Sequence, residues 1–444
     1  MNDTLILILS LAAIAVCVCA NFFWKVNMGL AAMTAAFIIG CLFVGDQVST
    51  IFSYWPDNLI FFMIASNLFF GYARENGTLE LFGRKILWLF RGSTKAIAWV
   101  FMALAIVLGV LGAGPGTIVL LAPIAFAVAG QLGMNPVILA YAVNEGYSIG
   151  TMNPWTGTGV VLYGLVEEAG VANYTGVYLR TYLAMSLQKI LFVGIVWALF
   201  TWLVKYKRKS SLSGGMAALN EEPGAYNPVQ RKTLALVIGS FTLLIIPNII
   251  NTLFTIDAVW FTRVVALCRP HAVLIFFALL ANIFKLAKTH DVLENLPMNT
   301  VLTIAGVCFL MEIAKGAGLL EGVSAIFSGG HIPRFLVPAV FCLLGGFMSL
   351  FASGTSVVLP LMFPLVPALS EATGIPLVTL YAAAQIGALT TPFSPFSTAG
   401  SLLVGLAPEE DKNYLFRTQF VLALIFLVAG FVLVGLGYCN LFGM

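Results

Sequence analysis

The hydrophobic sequence is interrupted by one pattern of breaks that occurs twice in the same order. Its landmarks recur at spacings of 238 to 241 residues: ARENGTLE at 73–80 with AKGAGLLE at 314–321, Gly116-Thr117 with Gly354-Thr355, and Pro136 and Tyr141 with Pro376 and Tyr381. Each copy then ends in a break rich in Pro, Thr, Ser and Gly, which reads TMNPWTGTG at 151–159 and TTPFSPFSTAG at 390–400. In a membrane chain, paired interruptions of this kind point to a binding site.

The composition indicates an integral membrane protein built from helices. Hydrophobic residues make up 60% of the 444 residues and charged residues only 9%, whereas soluble domains are about one quarter charged. The apolar runs are roughly 17–25 residues long, which is the length of a membrane-spanning helix and not of a barrel strand. No Lys or Arg precedes the first apolar run, so we expect a retained first span with its N-terminus outside and not a cleaved signal peptide.

We predict an all-α polytopic membrane protein of two inverted repeats, each with five spans and one re-entrant helical hairpin. The spans are expected near 4–20, 27–45, 57–73, 136–168 (broken), 180–204, 231–252, 262–284, 298–314, 376–406 (broken) and 413–436. The hairpins cover 95–131 and 335–370, because each segment is too long for one span and its halves are short for two. The repeats occupy 1–204 and 233–444, and a polar linker at 205–232 joins them. Five crossings per half is an odd number, so the second repeat must be inverted.

The distribution of Lys and Arg supports this topology. The segments predicted to be cytoplasmic carry sixteen of the 22 cations, the outer segments carry five, and Lys189 lies within a span. Cytoplasmic loops carry the excess of Lys and Arg. We therefore expect the linker inside, both termini outside and the protein in the cell (inner or plasma) membrane. Lys189 is expected to extend toward the interface or to form a pair.

The hairpin tips are the first candidate binding elements. They read GAGPGT at 112–117 and ASGTS at 352–356, and the helix that restarts after such a turn directs N–H groups and a positive dipole end at the tip, which suits an anion. The alternative is a kink that serves packing alone. The predicted contacts are Gly114, Gly116 and Thr117 in the first tip and Ser353, Gly354, Thr355 and Ser356 in the second.

The two breaks are the second pair of candidates. Proline inside a helix removes a backbone hydrogen bond, and the clustered hydroxyls either satisfy the freed backbone groups or bind substrate. The predicted contacts are Asn153, Thr156 and Thr158 in the first break and Ser394, Ser397 and Thr398 in the second. Neither tips nor breaks contain Lys or Arg. We therefore expect N–H groups, hydroxyls, helix ends and a co-bound cation to hold an anion.

The candidates for cation coupling are repeat-related hydroxyls and one carboxylate. The hydroxyls are those of Thr117, Thr151, Thr355 and Thr391, which together with backbone carbonyls could hold a co-transported Na+. Glu145 is a carboxylate inside a span and hence a functional candidate, with a structural role beside Asn144 as the alternative; its repeat counterpart is Gln385. Sodium is our preferred coupling ion, and a proton on Glu145 is the alternative. We interpret Glu312 and Lys315 as a local ion pair.

The sequence offers no catalytic constellation. No Gly-Lys-Ser/Thr follows the glycine runs, and no GxSxG or HExxH occurs, so the phosphate-loop, esterase and metalloprotease motifs are absent. The seven cysteines and three histidines show no metal-ligand spacing. A net charge of +3 does not indicate a nucleic-acid partner, because the cations lie at span ends. We predict a protein that is not an enzyme and has no catalytic residue, resident metal or other cofactor.

The chain resembles the ion-transporter superfamily, more closely its MatC-type malonate/dicarboxylate carriers and more distantly the divalent-anion/sodium symporters. The resemblance lies in KVNMGLAAMTAAFIIG, YARENGTLELFGRKI, GAGPGTIVLLAPIA, GTMNPWTGTG, ASGTSVVLPLMFPL and TTPFSPFSTAG, which together extend over nearly the whole chain. It implies inverted repeats, two re-entrant hairpins, elevator-type alternating access and a homodimer. In the symporters each tip carries Ser-Asn-Thr, which binds a carboxylate and helps to hold sodium. The Asn is missing from both tips here, so Thr117 and Thr355 are the residues that the resemblance carries over first.

Our leading hypothesis is a secondary active transporter of a small organic anion, a di- or monocarboxylate, that works by alternating access with cation coupling. An inorganic oxyanion or metalloid permease of the same superfamily is the first alternative, and a passive anion channel is the second. A membrane enzyme acting on lipid is disfavoured, because the sequence lacks a nucleophile and metal ligands.

The predicted topology can be tested by labelling single cysteines placed at Ser213 and at Ala172. Because the linker is expected inside and the loop at Ala172 outside, an impermeant thiol reagent applied to intact cells should label the cysteine at 172 and not the cysteine at 213. The reverse labelling pattern would refute the topology.

Overall fold

The computed structural model describes residues 3–24, 26–89, 96–155, 158–203, 222–253, 259–319, 322, 332–350 and 353–443. Helices account for most of these residues, and no strand occurs among them. The prediction of an all-helical polytopic protein is therefore confirmed at the level of fold class. Thr156 of the first break lies outside the described residues.

The described part of the N-terminal half contains ten helices, and two of them, at 48–52 and 78–89, lie outside the predicted spans and hairpin. They are α1 (Asp3–Trp24), α2 (Met28–Ile39), α3 (Val48–Phe52), α4 (Asp57–Glu75), α5 (Thr78–Leu89), α6 (Ile97–Val110), α7 (Gly116–Gln131), α8 (Pro136–Thr151), α9 (Gly159–Glu168) and α10 (Tyr174–Ala198). The backbone of α2 continues as a π-helical turn over Gly40–Val44, and that of α10 over Leu199–Leu203.

The helices of the C-terminal half follow the predicted spans with two differences. They are α11 (Pro228–Leu253), α12 (Val259–Leu267), α13 (Pro270–Ile283), α14 (Thr289–Glu294), α15 (Met298–Gly316), α16 (Val337–Ser349), α17 (Leu359–Met362), α18 (Val366–Thr373), α19 (Leu377–Thr390), α20 (Thr398–Leu406) and α21 (Glu409–Gly435). The predicted span at 262–284 is two helices, because Pro270 starts a new helix at its first turn.

The second difference concerns the second hairpin. Its first arm, α16, is short as expected, but helical turns continue from Gly354 through α17 and α18 to Thr373, which gives a second arm of 20 residues. This arm is long and apolar enough to cross a membrane. Tyr174–Trp202 and Glu409–Gly435 also meet that criterion, and the other apolar helices found in the described ranges are shorter, at 10–17 residues.

The chain divides into two compact units, and each contains segments from both sequence repeats. The first unit consists of Met1–Ile60, Val161–Phe200 and Met298–Met444, and the second of Phe61–Val160 and Thr201–Pro297. The first tip and the first break up to Val160 belong to the second unit. The second tip and the second break belong to the first unit.

In each unit, the first arm of a hairpin packs tightly on the helix that leads into a break. In the second unit α6 lies on α8, where a Cβ atom built on Gly150 would be 2.4 Å from the carbonyl oxygen of Ile106. In the first unit α16 lies on α19, where a Cβ atom on Gly387 would be 2.1 Å from the carbonyl oxygen of Cys342. Small residues let helix backbones approach this closely in membrane proteins. Each hairpin is thereby held against a broken helix.

Gly387→Ala should lower the thermal stability of the detergent-solubilised protein, because the added methyl group meets backbone that cannot rotate away. Overpacking of this kind costs about 1–3 kcal/mol. Gly405→Ala is the matched control: a Cβ there meets nothing within 4 Å, and Ala is favoured over Gly in helices by about 1 kcal/mol. Equal melting temperatures for the two variants would contradict the close packing of α16 and α19.

Candidate functional site

The first tip is a tight turn in which the backbone amides already have partners. The turn contains two glycines in the left-handed region, Gly112 at φ +74° and Gly114 at φ +54°. The amide of Gly116 donates to the Ala113 carbonyl at 3.1 Å, and the amide of Thr117 donates to the Gly114 carbonyl at 3.0 Å. The expectation that the tip presents unpaired N–H groups is therefore wrong for these two residues, because turns of the 3₁₀ type satisfy them at the start of α7.

The polar atom that stays unpaired at the first tip is the Thr117 hydroxyl. The Thr117 side chain is fully buried, and its Oγ1 atom has no hydrogen-bond partner within the described part of the chain. Buried hydroxyls are normally satisfied, and an unsatisfied one calls for an explanation such as a ligand or an ion. Thr117 is also the residue of this tip that the family resemblance carried over first.

A cation that the sequence analysis did not assign to the site lies beside the first tip. Arg74 on α4 passes close to Gly116: a Cβ atom built on Gly116 would be 3.8 Å from the Cδ atom of Arg74. The Nε atom of Arg74 is 3.5 Å from a carboxylate oxygen of Glu75. The duplicated stretch already contained the signal, since it has a cation at the same position in both copies, Arg74 and Lys315.

The first break is closed by side chain to backbone hydrogen bonds. The Asn153 side chain donates to the Gly150 carbonyl at 2.6 Å and accepts from the Trp155 amide at 3.1 Å. Thr151 donates to the Tyr147 carbonyl at 3.0 Å, one turn earlier. Asn153 and Thr151 therefore stabilise the end of α8, and the half-buried Thr158 lies in the turn that precedes α9.

Aromatic side chains connect the first tip with the first break inside the second unit. Phe70 on α4 packs under Gly112, where a Cβ atom would be only 2.3 Å from its ring. The Phe70 ring is 6.2 Å from that of Phe241, and the Phe241 ring is 6.3 Å from that of Trp155. The Nε1 atom of Trp155 is buried without a partner among the described residues. These aromatic side chains therefore form one cluster that packs against Gly112 of the first tip and includes Trp155 of the first break.

Glu145 lies on α8 between the first tip and the first break in the sequence. Its side chain is buried, and its Oε1 atom accepts a hydrogen bond from the Asn144 side chain at 2.9 Å. This is the Asn-paired arrangement that was considered as the structural alternative. Its repeat counterpart Gln385 on α19 is also buried, and neither polar atom of the Gln385 side chain has a partner within the described residues.

The second tip has its N-terminal cap built in. Ser353 precedes the helical turn at Gly354, and its Oγ atom accepts the amide of Ser356 at 3.2 Å. The hydroxyl of Thr355 is half-buried, 3.4 Å from the Ser353 hydroxyl. A Cβ atom on Gly354 would be 2.2 Å from the Ala388 carbonyl oxygen, so this tip lies directly on the last turn of α19.

In the second break the hydroxyls also satisfy backbone groups. Thr391 donates to the Gly346 carbonyl at 3.2 Å, and Ser397 donates to the Ser394 carbonyl at 2.8 Å and caps α20 by accepting the Gly400 amide at 3.0 Å. Thr398, at the start of α20, is exposed. Thr391 and Ser397 therefore satisfy backbone groups, which was the alternative interpretation of the hydroxyls in this break.

The two breaks are closed in the same way. A Cβ atom on Gly159 would be 2.1 Å from the Asn153 carbonyl oxygen, and one on Gly400 would be 2.0 Å from the Ser394 carbonyl oxygen. Both glycines follow their partner by six residues, and the two pairs are 241 residues apart, which is the spacing of the duplicated stretch. The two breaks therefore share one local backbone geometry at the spacing of the duplicated stretch.

A second cation reaches the second break from another helix. Lys189 on α10 is fully buried, and its Nζ atom donates to the Leu389 carbonyl at 2.8 Å. The expectation that this side chain extends toward the membrane interface is wrong, whereas the alternative of a buried pairing holds. Sequence spacing gave no signal for this contact, because the two residues are 200 positions apart.

A cavity of about 500 Å³ opens in the first unit beside the second arm of the second hairpin. Its polar lining includes Asp57, Glu168 and the predicted ion pair of Glu312 with Lys315, which is confirmed. Tyr54 also lines the cavity. Burial, and next the Asp46 carboxylate that accepts its hydroxyl at 3.3 Å, raise the pKa of Tyr54 above its ordinary value. The acidic lining disfavours this cavity as an anion site.

Hydroxyl and carbonyl oxygens are the atoms that could hold a hard monovalent cation here. No group of three or more His, Cys, Asp or Glu side chains suited to a metal ion occurs among the described residues. A threonine that donates its proton keeps oxygen lone pairs, so Thr151 and Thr391 still qualify as cation ligands beside Thr117 and Thr355. Oxygen ligands suit hard cations, whereas transition metals prefer imidazole and thiolate ligands.

Comparison with known proteins supports the resemblance drawn from the sequence. Residues 1–151 match the family described as "Dicarboxylate carrier protein MatC N-terminus", so the resemblance to MatC-type carriers is confirmed for this part of the chain. No curated protein matches the sequence. The fold is similar to that of the Alcanivorax borkumensis YdaH transporter, with a TM-score of 0.61 and 16% identity over 92% of this chain and 96% of that one. The chain is thus a helical membrane protein whose fold is similar to that of this transporter.

A matched pair of threonine variants can test which hydroxyls are structural. Thr391→Val should destabilise the protein, because it removes the hydrogen bond to Gly346, worth about 0.5–1.5 kcal/mol. Thr117→Val should leave the melting temperature unchanged or raise it, because an unpaired buried hydroxyl is replaced by a methyl group. Equal destabilisation of both in thermal unfolding would mean that Thr117 has a structural partner.

Proposed function

We propose that this protein is a secondary active transporter of a small organic anion, a di- or monocarboxylate. It works by elevator-type alternating access with cation coupling, as a homodimer. The observation that carries the proposal is the first tip, where the unpaired Thr117 hydroxyl lies at the start of α7 and Arg74 lies beside Gly116. The dicarboxylate named in the description of the matching family and the transporter named for the similar fold support it.

The first tip suits one carboxylate group of the substrate. The start of α7 carries a partial positive charge, and the guanidinium of Arg74 can form two parallel hydrogen bonds with a carboxylate. Thr117 adds a neutral donor. Glu75 competes for Arg74 at 3.5 Å, so the cation is partly neutralised when no substrate is present. Such a site holds an anion without trapping it, as a carrier requires.

The paired breaks support alternating access. Helices that are interrupted near their middle leave polar groups where a substrate can reach them, and transporters with internal repeats place their sites at such interruptions. Here both breaks are closed by a glycine against a carbonyl six residues earlier. If the two repeats have opposite orientations, their breaks are related by a two-fold axis. This symmetry would provide the two related states that alternating access needs.

Sodium is the coupling ion that we prefer. Thr117 and Thr151 belong to the unit that also contains Arg74, so a cation held there could balance the charge of the bound anion. Protonation of Glu145, whose buried carboxyl accepts a hydrogen bond from the Asn144 side chain, is the alternative.

The proposal predicts that purified protein in proteoliposomes exchanges labelled for unlabelled carboxylate. Arg74→Gln should reduce uptake about 10- to 100-fold, since a hydrogen bond to a charged group contributes about 1.5–3 kcal/mol. Thr117→Val should reduce it less, by up to about 10-fold, at unchanged melting temperature. Arg417→Gln, at an exposed position on α21, is the matched control and should transport normally.

The same assay separates the alternatives. Only a carrier shows counterflow, so conduction without counterflow would indicate a passive channel. Counterflow with sulfate or arsenite but not with malonate or succinate would indicate an inorganic oxyanion or metalloid permease. Normal carboxylate uptake by a variant with both Arg74→Gln and Thr117→Val would remove the first tip from the substrate site.

A further inference from the structure

Lys189 is the one cation of the sequence that was placed inside a predicted span, and in the structure it has no exposed surface. It lies on α10 (Tyr174–Ala198), about four turns from the start of that helix and about two and a half turns from its end. Its Nζ atom is 2.8 Å from the carbonyl oxygen of Leu389. A charged side chain at such a depth is unfavourable unless it serves a function, and its partner indicates what that function is.

The Leu389 carbonyl belongs to the last turn of α19, immediately before the second break. The last carbonyls of a helix have no intrahelical partner and carry the negative end of the helix dipole. In transporters with interrupted helices, such ends and the unwound carbonyls beside them coordinate the coupling cation. The Nζ atom of Lys189 therefore lies where a mobile cation would be expected to bind.

The carbonyls around Leu389 are satisfied by neutral hydroxyls. Ser349 donates to the Ala388 carbonyl at 2.6 Å, and Thr390 donates to the Ile386 carbonyl. Thr391, which the sequence analysis assigned to a cation site, donates to Gly346. Neutral hydroxyls thus donate to the Ala388 and Ile386 carbonyls, and the donor to the Leu389 carbonyl is an ammonium group of the protein itself.

The corresponding end of α8, before the first break, has neutral donors. The Gly150 carbonyl accepts from the Asn153 side chain at 2.6 Å, and the Tyr147 carbonyl accepts from Thr151 at 3.0 Å. The two repeats close their breaks with the same glycine geometry, so this difference in charge is specific. One repeat supplies a covalently attached cation at the helix end, and the other supplies amide and hydroxyl groups.

We propose that Lys189 is a resident cation that occupies the place of a second coupling ion at the second break. An ammonium group and a sodium ion carry the same charge, and both bind carbonyl oxygens. The repeat-related hydroxyls predicted two equivalent cation sites, and Lys189 leaves one of them, at the first break, for a mobile ion. This inference rests on the proposed function. It adds that one coupling cation, and not two, accompanies each transport cycle.

The test compares Lys189→Ala with Lys189→Gln and with Lys288→Ala, a control at an exposed lysine. Sodium dependence of carboxylate uptake is measured in proteoliposomes, with choline as the replacement ion. Wild type and Lys288→Ala should show a Hill coefficient for sodium of about one, and Lys189→Ala should approach two, since the coefficient is limited by the number of sites. Lys189→Gln should also need more sodium, because an amide donates a hydrogen bond without a charge.

A second readout needs no substrate. Thermal unfolding of each detergent-solubilised protein is followed with sodium, choline or methylammonium. Lys189→Ala should be stabilised by methylammonium, and to a smaller extent by sodium, because a ligand that binds the folded state raises its melting temperature. Wild type should not respond to methylammonium, since its own ammonium fills the place. If Lys189→Ala is purified poorly, methylammonium present during purification should restore its yield.

Two results would overturn the inference. One is a Lys189→Gln protein whose uptake and sodium dependence equal those of wild type, which would make Lys189 a hydrogen-bond donor and nothing more. The other is a Lys189→Ala protein that neither methylammonium nor sodium stabilises. Failure of every protein, including wild type, to take up carboxylate would refute the proposed function instead. The methylammonium measurement would then decide the role of Lys189 independently.

Discussion

A helix that stops inside a membrane must have its free backbone groups satisfied by protein, because lipid offers no hydrogen bonds. The structure meets this constraint locally at each interruption. Asn153 and Ser397 bond the backbone of their own breaks, and glycines 159 and 400 let the chain fold back against a carbonyl. The polar residues of the breaks are thus largely committed to the fold. What is left over for chemistry is a small number of atoms, with the Thr117 hydroxyl the clearest among those described.

The charges near these interruptions come from other helices. Arg74 approaches the first tip from α4, and Lys189 reaches the end of α19 from α10. Because each cation comes from a neighbouring helix, its environment can differ between the two interruptions while the backbone of the interruption stays the same. At the first tip the cation lies 3.5 Å from a carboxylate oxygen of Glu75. At the second break the cation is fully buried and donates a hydrogen bond to a carbonyl.

The sequence by itself determined the elements and their repetition. Long apolar runs and very few charges specified a helical membrane protein, and helices such as α4 (Asp57–Glu75) and α21 (Glu409–Gly435) occupy the predicted spans. Helices α8 and α19 end where the sequence places the breaks, because Pro, Gly and hydroxyl residues act on the backbone of their own segment. Local rules failed at two places. The apolar run at 262–284 gave no sign that a new helix begins at Pro270. Helical turns of different type join from Gly354 to Thr373 into one long second arm of the second hairpin.

Only the tertiary structure decided which polar groups are free and which charges meet them. Thr117 and Thr391 look alike in sequence, yet the Thr117 hydroxyl has no partner among the described residues and the Thr391 hydroxyl donates to the Gly346 carbonyl. The contact between Lys189 and Leu389 joins residues 200 positions apart, and no periodicity or motif encodes such a distance. The physical reason is that helix formation and helix breaking depend on neighbouring residues, whereas hydrogen-bond satisfaction and charge placement depend on how the helices pack.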